Sequence, residues 1–324
     1  MSLTVNNLTK KYGERTVLDH LCFEMPTSGV YALLGTNGAG KTTAIRMMLG
    51  MLSRDEGEVL WNGKPLDTTV CNVGYLAEER GLYPKYALMD QLIYFAGLRG
   101  VSRSDAKKRI RYWADRLEVG EYLYPTAPEA PALGEKRSAH RVKKAPPKKA
   151  DQLSKGNQQK IQLMTALISD PELLILDEPL SGLDPVNTDL FKAIIREEID
   201  KGKYLIMSSH QMATVEEFCN EITILSRSKT VLQGHLPTIK KSYGRVNLSL
   251  KTEGDITSYL PGSGVTLIFA KEYEYQLKVG NERCANALLG RLIADGVPVI
   301  TFDLREPSLH EIFVEKVGEV HEES

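Results

Sequence analysis

The feature that most constrains this chain is a glycine-rich loop between an apolar segment and a helical pattern. The apolar run GVYALL (29–34) has the composition of a buried strand, and TTAIRMMLGML (42–52) has the periodicity of a helix. The loop between them fits the pattern G-x-x-x-x-G-K-[ST]. Its residues are Gly35, Thr36, Asn37, Gly38, Ala39, Gly40, Lys41, Thr42 and Thr43.

Such a loop has the properties of a phosphate-binding site. Glycines let the backbone close around an anion, several N–H groups converge on it, and the following helix adds the positive end of its dipole. We expect Lys41 to reach the β- and γ-phosphates of a nucleotide and Thr42 to place its hydroxyl on Mg²⁺. Because a kinase, a GTPase or a helicase could use the same loop, the rest of the chain has to decide among them.

Strand-like and helical segments alternate after the loop, which predicts an α/β fold with a mostly parallel sheet and helices on its faces. The N-terminal segments are strand-like, and the pattern around Asn62-Gly63 is typical of a hairpin, so we expect an antiparallel β-subdomain there. A helical subdomain is predicted at about 84–165, with Ser104 as the N-cap of its second helix.

The length of 324 residues allows about two domains. We place the first at 1–235 and the second, a small α+β domain without a chemical motif, at 236–324. Residues 125–150 are rich in Pro, Ala and basic residues, which predicts a flexible insertion. Its seven Lys or Arg against two Glu leave open a contact with anionic lipid headgroups or an acidic partner.

Composition excludes other classes of protein. A formal net charge of -1 lacks the basic excess of a nucleic-acid-binding domain, so we predict no nucleic-acid partner. The sequence has no run approaching the roughly 18 apolar residues of a membrane-spanning helix, and its N-terminus has no apolar core of signal-peptide length. These observations predict a cytoplasmic protein.

Acidic residues end one of the predicted buried strands. Asp177 and Glu178 close the apolar run ELLILDE (172–178), and His210 closes the run YLIMSSH (204–210). Parallel strands of an α/β sheet point their carboxyl ends at the ligand crevice. Asp177 is therefore a candidate to hold Mg²⁺, and Glu178 and His210 are candidates to face the reaction.

A further motif identifies a family. The segment LSKGNQQK (153–160) opens a helix and closely resembles the LSGGQ-type signature of the ABC ATPases. The resemblance covers residues 1 to about 235, with all motifs in the family's order. Residues 236–324 are similar to the C-terminal extension of exporter-type bacterial ABC ATPases, including a sodium-export-like group.

The resemblance assigns roles within one subunit. It implies that ATP is bound with Mg²⁺, that Tyr12 stacks on the adenine, that Glu178 is the general base and that His210 contacts the γ-phosphate. Most members have glutamine at the position of Glu78, which usually touches Mg²⁺ and the attacking water. Glutamate can also ligate Mg²⁺, and Glu79 is the alternative if the register is shifted by one.

The resemblance also implies partners. Ser154, Gly156 and Gln158 of the signature would bind the γ-phosphate held by another subunit, and Asp184 would lie in the loop that crosses the dimer interface. Either a homodimer or a heterodimer would then drive a separate integral membrane permease from the inner face of the plasma membrane. We expect an exporter. An importer subunit, a soluble ABC-type ATPase with a non-membrane target and a non-catalytic regulator are the alternatives.

Overall fold

In the computed structural model, the described residues are 1–78, 81–125 and 148–322. They form two compact units. The first contains Met1–His210 and Arg227–Lys229, and the second contains Gln211–Ser226 and Thr230–Ser324. Because most of the predicted insertion at 125–150 and the alternative residue Glu79 fall outside the described residues, both stay predictions.

The first unit begins with an antiparallel sheet and the phosphate loop. The sheet has the strand order β2-β1-β4-β5, which confirms the predicted N-terminal β-subdomain. A two-residue turn joins β4 to β5 at Asn62-Gly63, where φ is 53° and 73°, and Trp61 pairs with Lys64 as the hairpin pattern predicts. The elements of this part are β1 (Leu3–Tyr12), β2 (Arg15–Met25), β3 (Gly29–Gly35), α1 (Lys41–Met48), β4 (Glu56–Trp61), β5 (Lys64–Pro65) and β6 (Val73–Leu76).

Helices dominate the next part of the first unit, as the apolar periodicity predicts. Its elements are α2 (Leu88–Leu98), α3 (Arg103–Arg116), α4 (Gly120–Leu123), α5 (Lys155–Leu167), β7 (Leu173–Asp177), α6 (Pro185–Asp200) and β8 (Tyr204–Ser209). The prediction of Ser104 as an N-cap is wrong. Ser102 caps α3, because its backbone is extended and its hydroxyl accepts a hydrogen bond from Asp105 N at 3.1 Å, whereas Ser104 already lies in the first helical turn.

A parallel sheet positions the loop and the acidic residues. Its strands β3, β8, β7 and β6 are neighbours in that order and pair in parallel, which confirms the predicted α/β architecture. The register places Asp177 beside Ser208, and Leu34 beside Ser209. Strands β7 and β8 are buried along their whole length, and the ligand crevice of such a sheet lies beyond the carboxyl ends of its strands.

The second unit contains a separate antiparallel sheet with the order β12-β13-β11-β14. Helix α9 covers one face of it, where Leu288 and Leu292 join a core with Leu248, Leu250 and Leu277. This confirms a small α+β C-terminal fold; the boundary at 235/236 stays a prediction. The elements after β8 are α7 (Met212–Phe218), β9 (Glu221–Ser226), β10 (Lys229–His235), α8 (Leu236–Tyr243), β11 (Asn247–Thr252), β12 (Val265–Lys271), β13 (Glu274–Val279), α9 (Glu282–Ala294), β14 (Val299–Arg305) and α10 (Leu309–Glu322).

Across the described parts of the chain, no helix combines the length and the apolar content that crossing a membrane requires.

Candidate nucleotide-binding site

A cavity of about 630 Å³ lies at the carboxyl ends of β3 and β7. It brings together residues that are far apart in the sequence, from the first hairpin to the acidic strand. The phosphate loop forms its floor. Its lining residues are Tyr12, Arg15, Val17, Asn37, Gly38, Gly40, Lys41, Thr42, Thr43, Glu78 and Glu178.

The loop needs glycine at its tightest point. Gly40 has a φ of 108°, and a Cβ built on it would lie 2.7 Å from the carbonyl oxygen of Val17. No other residue adopts this conformation without strain. Helix α1 begins at the next residue, Lys41, so its N-terminal N–H groups open toward the cavity.

Lys41 supplies a buried positive charge to this cavity. Its side chain is only 6% exposed, and Nζ donates to the carbonyl oxygens of Gly35 at 2.9 Å and Thr36 at 3.3 Å. The same nitrogen lies 3.5 Å from Oε1 of Glu178. The loop's own backbone thus holds the ammonium group beside the acidic strand.

Asp177 is a buried carboxylate, and only one of its two oxygens has a hydrogen-bond partner among the described residues. Oδ1 accepts a hydrogen bond from the Ser208 hydroxyl, whereas Oδ2 is buried and has no hydrogen-bond partner in the described structure. Burial raises the pKa of Asp177, and the hydroxyls of Ser208 and Thr42 oppose that rise. An unpartnered buried carboxylate oxygen is costly unless a ligand satisfies it.

The oxygen donors at this point fit a magnesium ion. Asp177 Oδ2 and the Thr42 hydroxyl are the oxygen ligands that Mg²⁺ prefers, and the carboxylate of Glu78 lines the same cavity. Among the described residues, no group of three or more His, Cys, Asp or Glu forms a metal cluster. Mg²⁺ at a nucleotide does not require one, because phosphate and water oxygens complete its coordination.

Glu178 and His210 meet at the same edge. Glu178 is 6% exposed, and its Oε2 lies 2.9 Å from Nδ1 of His210. The backbone of Glu178 has a φ of 49°, a left-handed conformation that is uncommon for this residue type and concentrates at functional sites. A nearly buried carboxylate is therefore held between the imidazole and the Lys41 ammonium group.

Tyr12 lies at the mouth of the cavity, at the end of β1. Its side chain is exposed and Lys10 Nζ lies 5.3 Å from the ring centroid. The outward ring can stack on a planar base.

The remaining predicted residues do not line this cavity. We call Ser154, Gly156, Gln158 and Asp184 the signature surface. Ser154 caps α5 through Asn157 N at 3.3 Å, and Asp184 caps α6, with both capping side chains facing solvent.

The two capped helix ends are neighbours. A Cβ built on Gly156 would lie 3.4 Å from Nδ2 of Asn187, the residue that donates its backbone N–H to Asp184 at 2.9 Å. That hydrogen bond holds the pKa of Asp184 below its usual value. Gln158 turns back to Leu153, donating to its carbonyl oxygen at 3.0 Å. Within the signature surface, Ser154 and Asp184 are thus exposed, whereas Gly156 and Gln158 are half-buried.

Two residues of the site, Ser208 and Arg15, are not predicted by any sequence motif. Arg15 lines the cavity three residues after Tyr12, and Ser208 contacts both acidic residues from the neighbouring strand. A hydroxyl inside the apolar run YLIMSSH is the signal that could have identified Ser208, because buried polar groups need partners.

Comparisons with known proteins agree with this geometry. The family model for "ABC transporter" matches residues 18–181, and the model for the C-terminal domain of DrrA1-3-like ATP-binding proteins matches residues 234–317. The ABC transporter ATP-binding protein YhaQ of Bacillus subtilis, itself uncharacterized, is 40% identical over 99% of this chain and 100% of its own length.

Two other proteins widen the comparison. The Nod factor export ATP-binding protein I of Paraburkholderia xenovorans is 28% identical over 72% of this chain and 70% of its own length. A solved structure of an ATP-binding subunit of an ABC transporter superposes with a TM-score of 0.62 at 26% identity, covering 75% of this chain and 93% of that one. These matches confirm the family that the motifs predict: the chain belongs to the ABC transporter ATP-binding proteins, as an ATPase subunit with a DrrA-like C-terminal domain.

Proposed function

We propose that this chain drives an exporter, with two copies closing head to tail around two molecules of ATP. One observation carries the proposal. The phosphate loop and Glu178 line the cavity, while the signature surface lies outside it on the same unit, with Ser154 and Asp184 exposed. A second copy in a two-fold arrangement would place its signature surface over this cavity, and the first copy would do the same in return.

Within one subunit, each cavity residue has a role in binding. Tyr12 stacks on the adenine, and Lys41 exchanges its carbonyl partners for the β- and γ-phosphates. Thr42, Asp177 and Glu78 would hold Mg²⁺. When bound, the ion neutralises negative charge on the phosphates.

Hydrolysis needs a base and a fixed geometry. Glu178 accepts a proton from the water that attacks the γ-phosphorus. The bond between the γ-phosphorus and the β–γ bridging oxygen breaks, and ADP leaves with that oxygen. His210 orients the Glu178 carboxylate through its Nδ1 contact and donates from Nε2, its other ring nitrogen, to the γ-phosphate. Ser154 and Gly156 of the second copy bind that phosphate, so ATP favours the closed pair and hydrolysis releases it.

A second cavity supports a membrane partner. It is a largely apolar groove of about 400 Å³ between β6 and the helices α2 and α5. Met51 and Leu98 line it and are each 65% exposed. Exposed apolar surface marks a binding site for a partner. Because ABC ATP-binding subunits work with membrane permeases, we assign the groove to an apolar helix of the permease.

The groove adjoins the nucleotide site. Strand β6 lines the groove and Glu78 follows it by two residues at the nucleotide cavity. Movement of the permease helix and closure of the ATP-bound pair would therefore act on the same short segment. Export is the favoured direction, because the Nod factor relative is named for export and the C-terminal domain is DrrA-like.

Affinity purification from native membranes tests the permease assignment. Leu98→Asp places a charge in the groove, and Val70→Asp is the matched control because Val70 is an equally apolar side chain, 83% exposed and outside the groove. We expect wild type and Val70→Asp to retain a polytopic membrane protein and Leu98→Asp to lose it, with ATP turnover of the purified subunit unchanged. Recovery of ribosomal proteins, or of no membrane protein with wild type, contradicts the proposal.

A further inference from the structure

Strand β8 places the hydroxyl of Ser208 directly after three fully buried apolar residues. Leu205, Ile206, Met207 and Ser208 are all 0% exposed. A buried hydroxyl without hydrogen-bond partners destabilises a protein. The hydrogen bonds of Ser208 therefore explain why its hydroxyl can be buried. Both contacts of Ser208 are with the acidic pair of the neighbouring strand β7: Oγ bonds to Asp177 Oδ1 and to Glu178 N.

The direction of these two hydrogen bonds is fixed by chemistry. The backbone N–H of Glu178 can only donate, so Ser208 Oγ accepts from it at 2.9 Å. The single proton of the hydroxyl is then available for Asp177 Oδ1. Asp177 must accept at Oδ1, and its second oxygen, Oδ2, is left without a partner in the described structure.

The same hydroxyl also holds the backbone of the neighbouring residue. Glu178 has a left-handed φ of 49°, which persists in proteins only where surrounding contacts impose it. The hydrogen bond from its N–H to Ser208 is one such contact. This conformation directs the Glu178 side chain to His210 and Lys41.

We propose that Ser208 is a positioning residue for ATP hydrolysis: one buried hydroxyl orients Asp177 toward Mg²⁺ and holds Glu178 in its reactive backbone conformation. This inference rests on the proposed roles of Asp177 and Glu178. Ser208 touches neither ATP nor water in this account and acts through those two carboxylates.

Three variants test it. Ser208→Ala removes the hydroxyl, Ser208→Cys keeps a side chain of similar shape with a weak donor, and Ser208→Thr keeps the hydroxyl. Ser209→Ala is the control, because it removes a hydroxyl that is also buried, at 6% exposed, from the next position of β8, where successive side chains point to opposite faces. Ser208→Cys keeps the test decisive if Ser208→Ala fails to fold.

The measurements separate positioning from folding. We expect Ser208→Ala and Ser208→Cys to lower kcat about 10-fold or more, the scale of a lost hydrogen bond to a charged group, with KM for ATP changed less than about threefold. Half-maximal activity should need several times more Mg²⁺. Calorimetry should find ATP affinity in EDTA unchanged and the gain in affinity on adding Mg²⁺ reduced. Ser208→Thr should recover most of the turnover, and Ser209→Ala should match wild type.

Two results overturn the inference while the proposed function stands. The first is a kcat equal to that of wild type in both Ser208→Ala and Ser208→Cys. The second is a loss of ATP affinity that is equal with and without Mg²⁺. A wild-type protein without Mg²⁺-dependent ATP turnover would instead contradict the proposed function itself.

Discussion

At the scale of single residues, Glu178 is the centre of the proposed chemistry. Its carboxylate is nearly buried, yet Lys41 and His210 contact it from two sides. A buried carboxylate needs polar partners, and the Lys41 ammonium group and the His210 ring nitrogen supply them here. The neighbouring Asp177 carries the orphaned oxygen that fits Mg²⁺, so adjacent acids take different roles.

Glu178→Gln tests the assignment of the base. The amide keeps the shape of the side chain and cannot accept a proton, so we expect kcat to fall by about 10²–10⁴-fold while ATP binding persists. Steady-state turnover and equilibrium titration with ATP measure the two quantities. Glu58→Gln, on the exposed part of β4, is the control and should match wild type. An unchanged turnover in Glu178→Gln would remove Glu178 from the mechanism.

Sequence reasoning identified the acidic pair, but not what holds it. Asp177 and Glu178 follow an apolar run, and that pattern is visible in the chain. The contact with Ser208 depends on the register between β7 and β8, which join across 31 positions of sequence. Hydrophobic patterns in a sequence predict where strands lie. Which side chains of two strands meet depends on the register of the folded sheet.

At the scale of elements, two helices begin with the same chemistry and have different expected roles. Ser102 caps α3 and Ser154 caps α5, each accepting from the backbone N–H three residues later. Both serines are exposed. The first cap stabilises a helix, and the second is also part of the signature surface, where the helix N-terminus favours a phosphate.

The pair gives a matched experiment on capping. Ser102→Ala and Ser154→Ala should each cost about 1 kcal/mol of unfolding free energy, the usual value of a lost N-cap, measured by chemical denaturation. Only Ser154→Ala should also lower ATP turnover, by about 10-fold, because it removes a hydrogen bond to a charged phosphate. Equal turnover in the two variants would argue that the signature surface does not bind ATP.

Apolar periodicity predicts helices better than it predicts where they begin. The helices α3 and α5 have long apolar repeats and were expected, whereas the cap of α3 was placed two residues late at Ser104. The first residue of a helix depends on which hydroxyl accepts a hydrogen bond from a free backbone N–H. Hydrophobic spacing does not distinguish between two nearby hydroxyls. The groove at β6, α2 and α5 was not predicted, because cavities arise from the packing of separate elements.

At the scale of the whole molecule, the account depends on two copies. The nucleotide cavity of one chain is lined by the phosphate loop, Glu178 and Tyr12, and Ser154 and Asp184 of the signature surface are exposed outside it. The proposed role of the signature surface in ATP binding rests on the family resemblance and on its position outside the cavity. The second unit has a hydrophobic core of its own, which contains Leu248, Leu250 and Leu277.

The central claim is that ATP joins two chains. The mass of the Glu178→Gln protein in solution tests this claim most directly, because blocked hydrolysis should trap the closed pair. Light scattering on the purified full chain should give the monomer mass of 36.1 kDa without nucleotide and about twice that mass with Mg²⁺-ATP. Adding Ser154→Ala to the same protein should weaken the dimer. A monomer that stays at 36.1 kDa with ATP bound would contradict the account.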